Sequence, residues 1–166
     1  MKSGLSAPVP LTADHDLSGF DSGAPALDIW LQQRALKNES RFSRTSVVCE
    51  GLRVVGYYCI SAGAVERAQA PGRMRRNAPD AVPVSIIGRL AVSRSHAGKG
   101  LGADLLADAL RRIAIASQSI GIGAVMVHAK DDKARAFYLD CAEFIEFPEG
   151  SRTLFLPIES ILAALE

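Results

Sequence analysis

The sequence predicts one mixed α/β (α+β) domain that spans residues 1–166. Two kinds of apolar segment alternate along the chain: short runs rich in β-branched residues, typical of strands, and longer stretches with helical spacing. No linker is long enough to separate two domains, and no internal repeat or low-complexity run is present. The length and the 48% share of hydrophobic residues suit a single core.

The first half of the chain predicts a helix followed by strands. Apolar residues recur at helical spacing over Ala26–Ala35. Runs of β-branched and aromatic residues at Thr45–Cys49 and Val54–Ile60 predict a β-hairpin. Prolines and arginines over Arg67–Pro83 indicate a polar loop, and the almost uninterrupted apolar run Val84–Val92 is typical of a central strand.

The second half begins with a glycine-rich segment, which opens a helix with apolar residues at core-facing spacing. The elements expected after it are strands at Ala124–His128 and Thr153–Leu156 and helices at Lys133–Cys141 and Ile158–Leu165.

Composition excludes several classes of protein. A formal net charge of +1 argues against a chain coated for non-specific nucleic-acid binding, although it permits one basic patch. No stretch approaches the roughly 20 apolar residues that span a bilayer. Residues 1–6 lack the apolar run of a signal peptide. We therefore expect a cytoplasmic protein that makes no membrane contact.

The cysteines predict neither disulfides nor a metal site. Cys49, Cys59 and Cys141 are odd in number, widely separated and without a C-x-x-C pair, so we expect small buried apolar residues. No other spacing typical of metal ligands is present, and no metal is expected.

Three glycines, Gly98, Gly100 and Gly102, follow the central strand directly. Without Cβ atoms, successive backbone N–H groups can converge on an anion, and the helix N-terminus adds unpaired donors. A phosphate or pyrophosphate is the expected ligand, and a tight turn without a ligand is the alternative. The P-loop and dinucleotide patterns do not fit, because no Ser or Thr follows Lys99 and Ala103 replaces the last glycine of the fingerprint.

Residues Ala97–Gly102 resemble the acyl-coenzyme A loop of the GNAT N-acetyltransferases, with Ala97 where that family usually has Gln or Arg. The resemblance implies the GNAT fold, a mixed, mostly antiparallel sheet flanked by helices, with acetyl-CoA as co-substrate. Arg89–Val92 resembles the strand that pairs with pantetheine, with Gly88 where its distortion would be helped. Ala136–Tyr138 resembles the segment whose tyrosine is the general acid. The implied cofactor-binding residues are Leu90, Ala91, Val92, Ala97, Gly98, Lys99, Gly100, Leu101 and Gly102.

Further segments are similar to the GNAT toxins of bacterial toxin–antitoxin pairs, the TacT-like group. These segments are Phe20–Gly23, Leu27–Leu31, Ala35–Asn38, Ser43–Thr45, Arg75–Pro79 and Arg152–Pro157. The resemblance implies acetyl transfer to the α-amino group of an aminoacyl-tRNA, which removes that tRNA from peptide-bond formation. It also implies a ribbon-helix-helix antitoxin as partner and a homodimer. One departure is Tyr138–Phe144, which is a residue longer than the usual Tyr-x-x-x-Gly-Phe and lacks its glycine.

The resemblance implies that Tyr138 is the catalytic acid, and the chemistry permits that role. Attack of an amine on a thioester leaves a thiolate, which a phenol of pKa about 10 can protonate late in the step. A core aromatic is the alternative interpretation of Tyr138. The nucleophile must be a neutral amine, and an α-amino group, with a pKa near 8, meets that condition more readily than lysine. Asp131-Asp132 is more typical of a helix cap than of a catalytic base. His128 is more typical of a hydrogen-bonded core residue. The sequence thus indicates no clear general base, which favours an α-amine as acceptor.

Basic residues are candidates for contacts to tRNA phosphates, which would weaken with salt and would position the RNA without identifying its amino acid. A solvated charged face is the alternative from the residues alone. The candidates are Arg34, Lys37, Arg73, Arg75, Arg76 and Arg89.

Two other functions stay open from the sequence. A GNAT acetyltransferase for a small amine or a protein N-terminus would share the glycine loop but would have no use for the arginines. A non-catalytic acyl-CoA-binding module would share the fold and would not need Tyr138.

Overall fold

The computed structural model describes residues 4–165, so the first three residues examined for a signal peptide, and residue 166, lie outside the described part. The strands are, in chain order, β1 (Val9–Pro10), β2 (Arg44–Glu50), β3 (Arg53–Glu66), β4 (Ala81–Val92), β5 (Ala124–His128), β6 (Ile145–Glu146) and β7 (Thr153–Pro157). The helices are α1 (Pro25–Trp30), α2 (Leu36–Asn38), α3 (Gly72–Arg75), α4 (Leu101–Ala116), α5 (Asp132–Cys141) and α6 (Ile158–Ala164).

The strands are hydrogen-bonded in the order β1-β2-β3-β4-β5-β7-β6. β4 and β5 run parallel, whereas β1 with β2, β2 with β3, β5 with β7 and β6 with β7 are antiparallel. The prediction of a mixed, mostly antiparallel sheet flanked by helices is confirmed.

The chain divides into two compact units, one containing residues up to 61 with 88–109, the other containing 62–87 with the residues from 110 on. β3, β4 and α4 continue from one unit into the other. The assignment of residues 1–166 to one domain stays a prediction.

The first unit is built on the predicted hairpin. β2 and β3 pair from Arg44 opposite Ile60 to Glu50 opposite Arg53, with a bulge between Val48 and Cys49. Apolar side chains from the hairpin, the first helix and the N-terminal segment exclude water together. This core comprises Leu11, Phe20, Leu31, Ala35, Val47, Cys49, Val54, Tyr57 and Ala91.

The second unit is built on the parallel pair β4–β5 and the antiparallel strand β7. The register places Val84 opposite Ala124 and Val125 opposite Leu156. The edge strand β6, which no sequence pattern indicates, adds only Ile145 and Glu146. Buried side chains of this unit include Val84, Ile87, Val125, Val127, Leu154, Phe155 and Ile161.

The first helix differs from its prediction. The sequence predicts one regular helix over Ala26–Ala35, whereas the structure has α1, a π-helical turn at Leu31–Ala35 and then α2. Pro25 opens α1, where its missing N–H costs nothing. One extra residue in a single turn leaves the apolar spacing nearly unchanged, so the pattern does not reveal a π turn.

The segment Arg67–Pro83 is more structured than the predicted polar loop. It contains a 3-10 turn at Arg67–Gln69 and α3, and Pro83 lies inside β4. Pro83 has no N–H to donate, and it lies just before the β4–β5 pairing, which begins at Val84 opposite Ala124. Its carbonyl accepts a 2.8 Å hydrogen bond from Gly123 N–H.

The cysteine prediction is correct for two residues and wrong for one. Cys49 and Cys59 are free and buried, but Cys141 is exposed because it is the last residue of α5, on the part of the helix that faces solvent.

Candidate active site

The glycine loop, residues 97–102, leads from a 3-10 turn at Arg94–His96 into α4. Gly98 and Gly100 have φ angles of 75° and 82°, a region that side-chain-bearing residues avoid. Residues 97–100 are exposed. Within residues 4–165, the N–H groups of Gly98, Lys99 and Gly100 donate to no protein acceptor. Three unpaired donors are therefore presented to solvent on a backbone that only glycine readily adopts.

Helix α4 begins at Leu101, the residue after Gly100, so its unpaired N–H groups and partial positive charge add to the same site. The Leu101 side chain is only 2% exposed, and its Cδ2 would lie 3.3 Å from a Cβ at Gly56. Of the predicted cofactor residues, Leu101 can therefore contribute only its backbone. The donors and the dipole together suit a phosphate or pyrophosphate.

Strand β4 presents an open edge beside this loop. Its parallel pairing with β5 ends at Ile87 opposite Val127. Beyond that point, Leu90 and Val92 are half-buried and Ala91 is buried. An extended ligand that carries amide groups can hydrogen-bond to such an edge in the way an added strand does.

Tyr138 is buried, with 6% of its surface exposed, and lies in α5. Its ring meets Phe137 edge-on at 5.2 Å and Phe144 edge-on at 5.7 Å. The longer segment after it does not disturb this packing. α5 ends at Cys141, Ala142 is extended, and Phe144 returns to cover Tyr138.

The acidic pair before α5 is engaged in structure. Asp131 caps the helix by accepting a 2.8 Å hydrogen bond from Ala134 N–H, which agrees with the cap interpretation. The Lys130 ammonium and the Ala134 N–H hold the pKa of the Asp131 carboxyl below its usual range. Asp132 accepts a 3.2 Å hydrogen bond from Arg152. Both carboxylates are therefore engaged in structural contacts.

His128 is exposed at the end of β5 and its Nδ1 lies 3.0 Å from the Thr153 hydroxyl, so it is hydrogen-bonded as predicted but is not in the core. It lines a cleft of about 460 Å³ whose charged side chains are paired with one another. Those pairs are Arg135 with Glu146 and Arg152 with Asp132.

The basic residues predicted to bind tRNA share one property. Within residues 4–165 none of them pairs with a carboxylate, although Arg53, Arg67, Arg94, Arg135 and Arg152 all do. The six unpaired residues are Arg34, Lys37, Arg73, Arg75, Arg76 and Arg89, and apart from the half-buried Arg89 they are exposed.

Neutral groups hold several of these cations. Arg73 donates a 3.1 Å hydrogen bond to the Ser160 hydroxyl. The Arg75 guanidinium lies 5.8 Å from the centre of the Phe147 ring. Cations that keep their charge uncompensated are available to bind phosphates.

Sequence reasoning missed the surroundings of Arg89. Its guanidinium lies 4.3 Å from the centre of the Trp30 ring and beside the Cys59 thiol. Burial raises the pKa of Cys59, while the charge and hydrogen bonds of Arg89 oppose the rise. The chain separates Trp30 from Arg89 by almost sixty residues, so no local pattern indicates the contact.

No helix within residues 4–165 combines the length and the apolar character needed to cross a membrane. In the same part of the chain, no cluster of three or more His, Cys, Asp or Glu side chains is arranged to hold a metal ion.

A glycine loop of free N–H groups at the start of a helix, after a strand with an open edge, defines a class of protein that binds a ligand with a pyrophosphate and an extended arm carrying amide groups, as acyl-coenzyme A has. The chain belongs to the acetyltransferase (GNAT) family, whose profile matches residues 13–142. The expected fold and enzyme class are thereby confirmed.

Two curated relatives of this chain within the family are named as toxins. The chain is 50% identical over 138 residues to the tRNA-acetylating toxin of Mycobacterium tuberculosis, covering 82% of this chain and 83% of that protein. It is 30% identical over 159 residues to the probable toxin TacT of Sinorhizobium fredii, covering 89% of this chain and 87% of that protein.

Solved structures agree with these relatives. A tyrosine-to-phenylalanine mutant of KacT matches with a TM-score of 0.90 at 30% identity, covering 96% of this chain and 98% of that one. AtaT complexed with acetyl-methionyl-tRNAfMet matches with a TM-score of 0.89 at 32% identity, covering 98% and 99%. A mutant AtaT bound to acetyl-CoA and the C-terminus of its antitoxin AtaR matches with a TM-score of 0.82 at 32% identity, covering 96% and 97%.

Proposed function

We propose that this protein is a toxin that transfers the acetyl group of acetyl-CoA to the α-amino group of an aminoacyl-tRNA, which blocks translation. The observation that carries the proposal is the glycine loop, whose three free N–H groups suit the pyrophosphate of acetyl-CoA. The 50% identity to a tRNA-acetylating toxin supports the choice of acceptor.

Coenzyme binding is divided between two segments of the chain. Residues 97–102 hold the pyrophosphate mainly through backbone N–H groups, because Ala97 has no polar side chain. Leu90, Ala91 and Val92 pair through their backbones with the amides of pantetheine. When bound, acetyl-CoA supplies an activated acyl group on sulfur.

Tyr138 acts as the general acid in this proposal. As the amine nitrogen bonds to the acetyl carbon, the carbon–sulfur bond breaks and the phenol donates its proton to the leaving sulfur. The proton lost by the nitrogen passes through solvent and restores the phenol. Its ring packs between Phe137 and Phe144, which restricts its rotamers and keeps the hydroxyl in one place.

The acceptor amine does not need an enzyme base to become unprotonated. Asp131 caps α5 and Asp132 is hydrogen-bonded to Arg152, so both carboxylates have structural roles. An α-amino group of pKa near 8 is substantially neutral at cellular pH, whereas a lysine of pKa about 10.4 is not. The chain therefore suits an α-amine.

The unpaired basic residues Arg34, Lys37, Arg73, Arg75, Arg76 and Arg89 bind phosphates of the tRNA. An enzyme for small amines has no use for them. This difference favours the tRNA interpretation over that alternative.

The proposal also covers the binding partners of the protein and its location in the cell. We propose a ribbon-helix-helix antitoxin, a homodimer and a cytoplasmic location in bacteria, with residues 1–166 acting as one domain. Light scattering on the purified protein tests the dimer, and a monomer at micromolar concentration would contradict it.

Cell-free translation tests the activity. Added protein should stop peptide synthesis when acetyl-CoA is present and should leave it running when acetyl-CoA is omitted. Inhibition that does not depend on acetyl-CoA would contradict the proposal.

A further inference from the structure

Aromatic rings form a stack in the first unit that ends in a charged group. Phe20 meets Tyr57 edge-on at 5.5 Å, Tyr57 lies parallel to Trp30 at 6.1 Å with 12° between their planes, and Arg89 covers Trp30 at 4.3 Å. The Tyr57 hydroxyl donates a 2.7 Å hydrogen bond to the Leu27 carbonyl. The stack is therefore fixed in the core at Tyr57, which is fully buried, and half-exposed at Trp30 and Arg89.

Arg89 has no counter-charge among residues 4–165. No carboxylate of residues 4–165 lies within ion-pair distance of its guanidinium, which instead contacts the Trp30 ring and the Cys59 thiol. A ring face and a thiol replace only part of the hydration that a half-buried cation loses. The site favours an anion supplied from outside.

The position of Arg89 indicates which anion. It follows the exposed Gly88 in β4 and directly precedes Leu90, the first residue proposed to pair with pantetheine. In the proposed function, a group bound there lies beside the pantetheine arm that carries the thioester. In an aminoacyl-tRNA the phosphate nearest the amine belongs to the 3′-terminal nucleotide.

We propose that Trp30 is a positioning residue that holds the Arg89 guanidinium to bind the phosphate of the 3′-terminal nucleotide of the acceptor RNA. This inference rests on the proposed function. The planar fork of an arginine donates two parallel hydrogen bonds to a phosphate. Stacking on Trp30 restricts the side chain before binding, so less conformational entropy is lost when the phosphate arrives.

The binding part is tested on Arg89→Gln and Arg89→Lys by measuring the Kd for deacylated tRNA across a salt series. Arg89→Gln should weaken binding on the order of tenfold and should reduce the slope of log K against log salt by about 0.7, the loss of one single-strand phosphate contact. Arg89→Lys keeps the charge, so it should keep the slope but lose part of the affinity. The Kd for acetyl-CoA should not change.

The positioning part is tested on Trp30→Ala and Trp30→Phe. Trp30→Ala should weaken tRNA binding several-fold with an unchanged salt slope, because Arg89 is still present. Trp30→Phe should restore most of the affinity. In the Arg89→Gln background, Trp30→Ala should have no further effect on the tRNA Kd. Arg53→Ala, which removes an exposed arginine that is already ion-paired with Glu50 at 2.5 Å, is the control and should bind tRNA normally.

Four kinds of result would contradict the phosphate site at Arg89, the positioning role of Trp30 or the proposed function. A wild-type Kd and slope in Arg89→Gln, with tRNA acetylation intact in the wild type, overturns the phosphate site and leaves the proposed function standing. Weaker acetyl-CoA binding in Arg89→Gln assigns the phosphate to the coenzyme and also overturns it. Normal binding by Trp30→Ala, or a further loss in the double variant, overturns positioning by Trp30. A wild type that acetylates no aminoacyl-tRNA overturns the proposed function itself.

Discussion

The hydroxyl of Tyr58 donates a 2.6 Å hydrogen bond to Oδ2 of Asp108, and both side chains are buried. Tyr58 lies in β3, and Asp108 lies in α4, the helix that the glycine loop opens. Hydrogen bonds to charged groups contribute about 1.5–3 kcal/mol. This contact therefore ties α4 to the hairpin strand and keeps the glycine loop in place.

Tyr58→Phe should lower the free energy of unfolding by about 1–3 kcal/mol, because the buried carboxylate loses a hydrogen-bond donor. Urea denaturation at neutral pH measures the change. Asp14→Asn, an exposed position in the same unit, is the control and should stay within about 0.5 kcal/mol of the wild type. An unchanged midpoint for Tyr58→Phe would contradict the assignment.

Gly100→Ala should weaken acetyl-CoA binding at least tenfold. A φ of 82° is unfavourable for alanine, so the loop must change shape and its N–H groups no longer converge. Calorimetric titration measures the affinity. Gly51→Ala is the matched control, since Gly51 has a φ of 63° in the exposed hairpin turn. It should lose stability but bind acetyl-CoA normally, and equal affinity in both variants would refute the loop's role.

Tyr138→Phe should lower kcat roughly a hundredfold or more while the Kd for acetyl-CoA stays close to wild type, because only proton donation is lost. Single-turnover acetylation measures the rate. Phe144→Leu, which alters the packing of the ring and keeps the hydroxyl, should have a much smaller effect. If Tyr138→Phe transfers acetyl groups at the wild-type rate, the acid is another group. If the wild type binds acetyl-CoA and transfers nothing, the protein is a binding module.

Replacing Arg75 and Arg76 together with glutamine should reduce the salt slope of tRNA binding by about 1.4–1.8, which corresponds to two phosphate contacts. The fall in kcat/KM should be larger for an aminoacyl-tRNA than for a small aminoacyl ester. Arg67→Gln, in the same segment but ion-paired with Asp80 at 3.6 Å, is the control. An equal loss for both substrates would favour a small-amine acetyltransferase.

Acid should destabilise the protein partly through Asp131, whose pKa lies below the ordinary 3.8 because of Lys130 first and Ala134 N–H second. A carboxyl with a lowered folded pKa adds stability above its unfolded pKa, and this stability is lost as pH falls through the folded value. Asp131→Asn should therefore reduce the loss of stability below about pH 4. Urea denaturation across the acid range measures it. Identical acid profiles would contradict this, while a partial effect is expected because Asp16, Asp21, Glu50 and Glu146 are shifted the same way.

The sequence predicts those elements of the fold that depend on neighbouring residues alone. The hairpin at β2 and β3, the central strand β4 and the glycine loop follow from β-branched runs and from glycine spacing. The π turn at Leu31–Ala35, the position of Pro83 inside β4 and the two-residue strand β6 do not, because they depend on hydrogen bonds to distant segments or on one extra residue in a turn.

Some features of the candidate site can be predicted from the sequence and others only from the structure. Sequence spacing indicates the anion-binding loop, and the family resemblance indicates Tyr138. Two properties appear only in the folded chain. Among residues 4–165, Arg75 and Arg76 have no carboxylate partner, and Arg89 stacks on Trp30. The sequence therefore indicates the candidate basic residues, and only the structure shows whether the charge of each one is compensated.

Transfer of labelled acetyl groups to a mixture of aminoacyl-tRNAs is the decisive test of the proposed activity. Purified protein should place the label on the α-amino group of at least one aminoacyl-tRNA, and mild base should release it as an N-acetyl amino acid. Label that appears only on free amines or protein N-termini, or on no acceptor at all, would contradict the account.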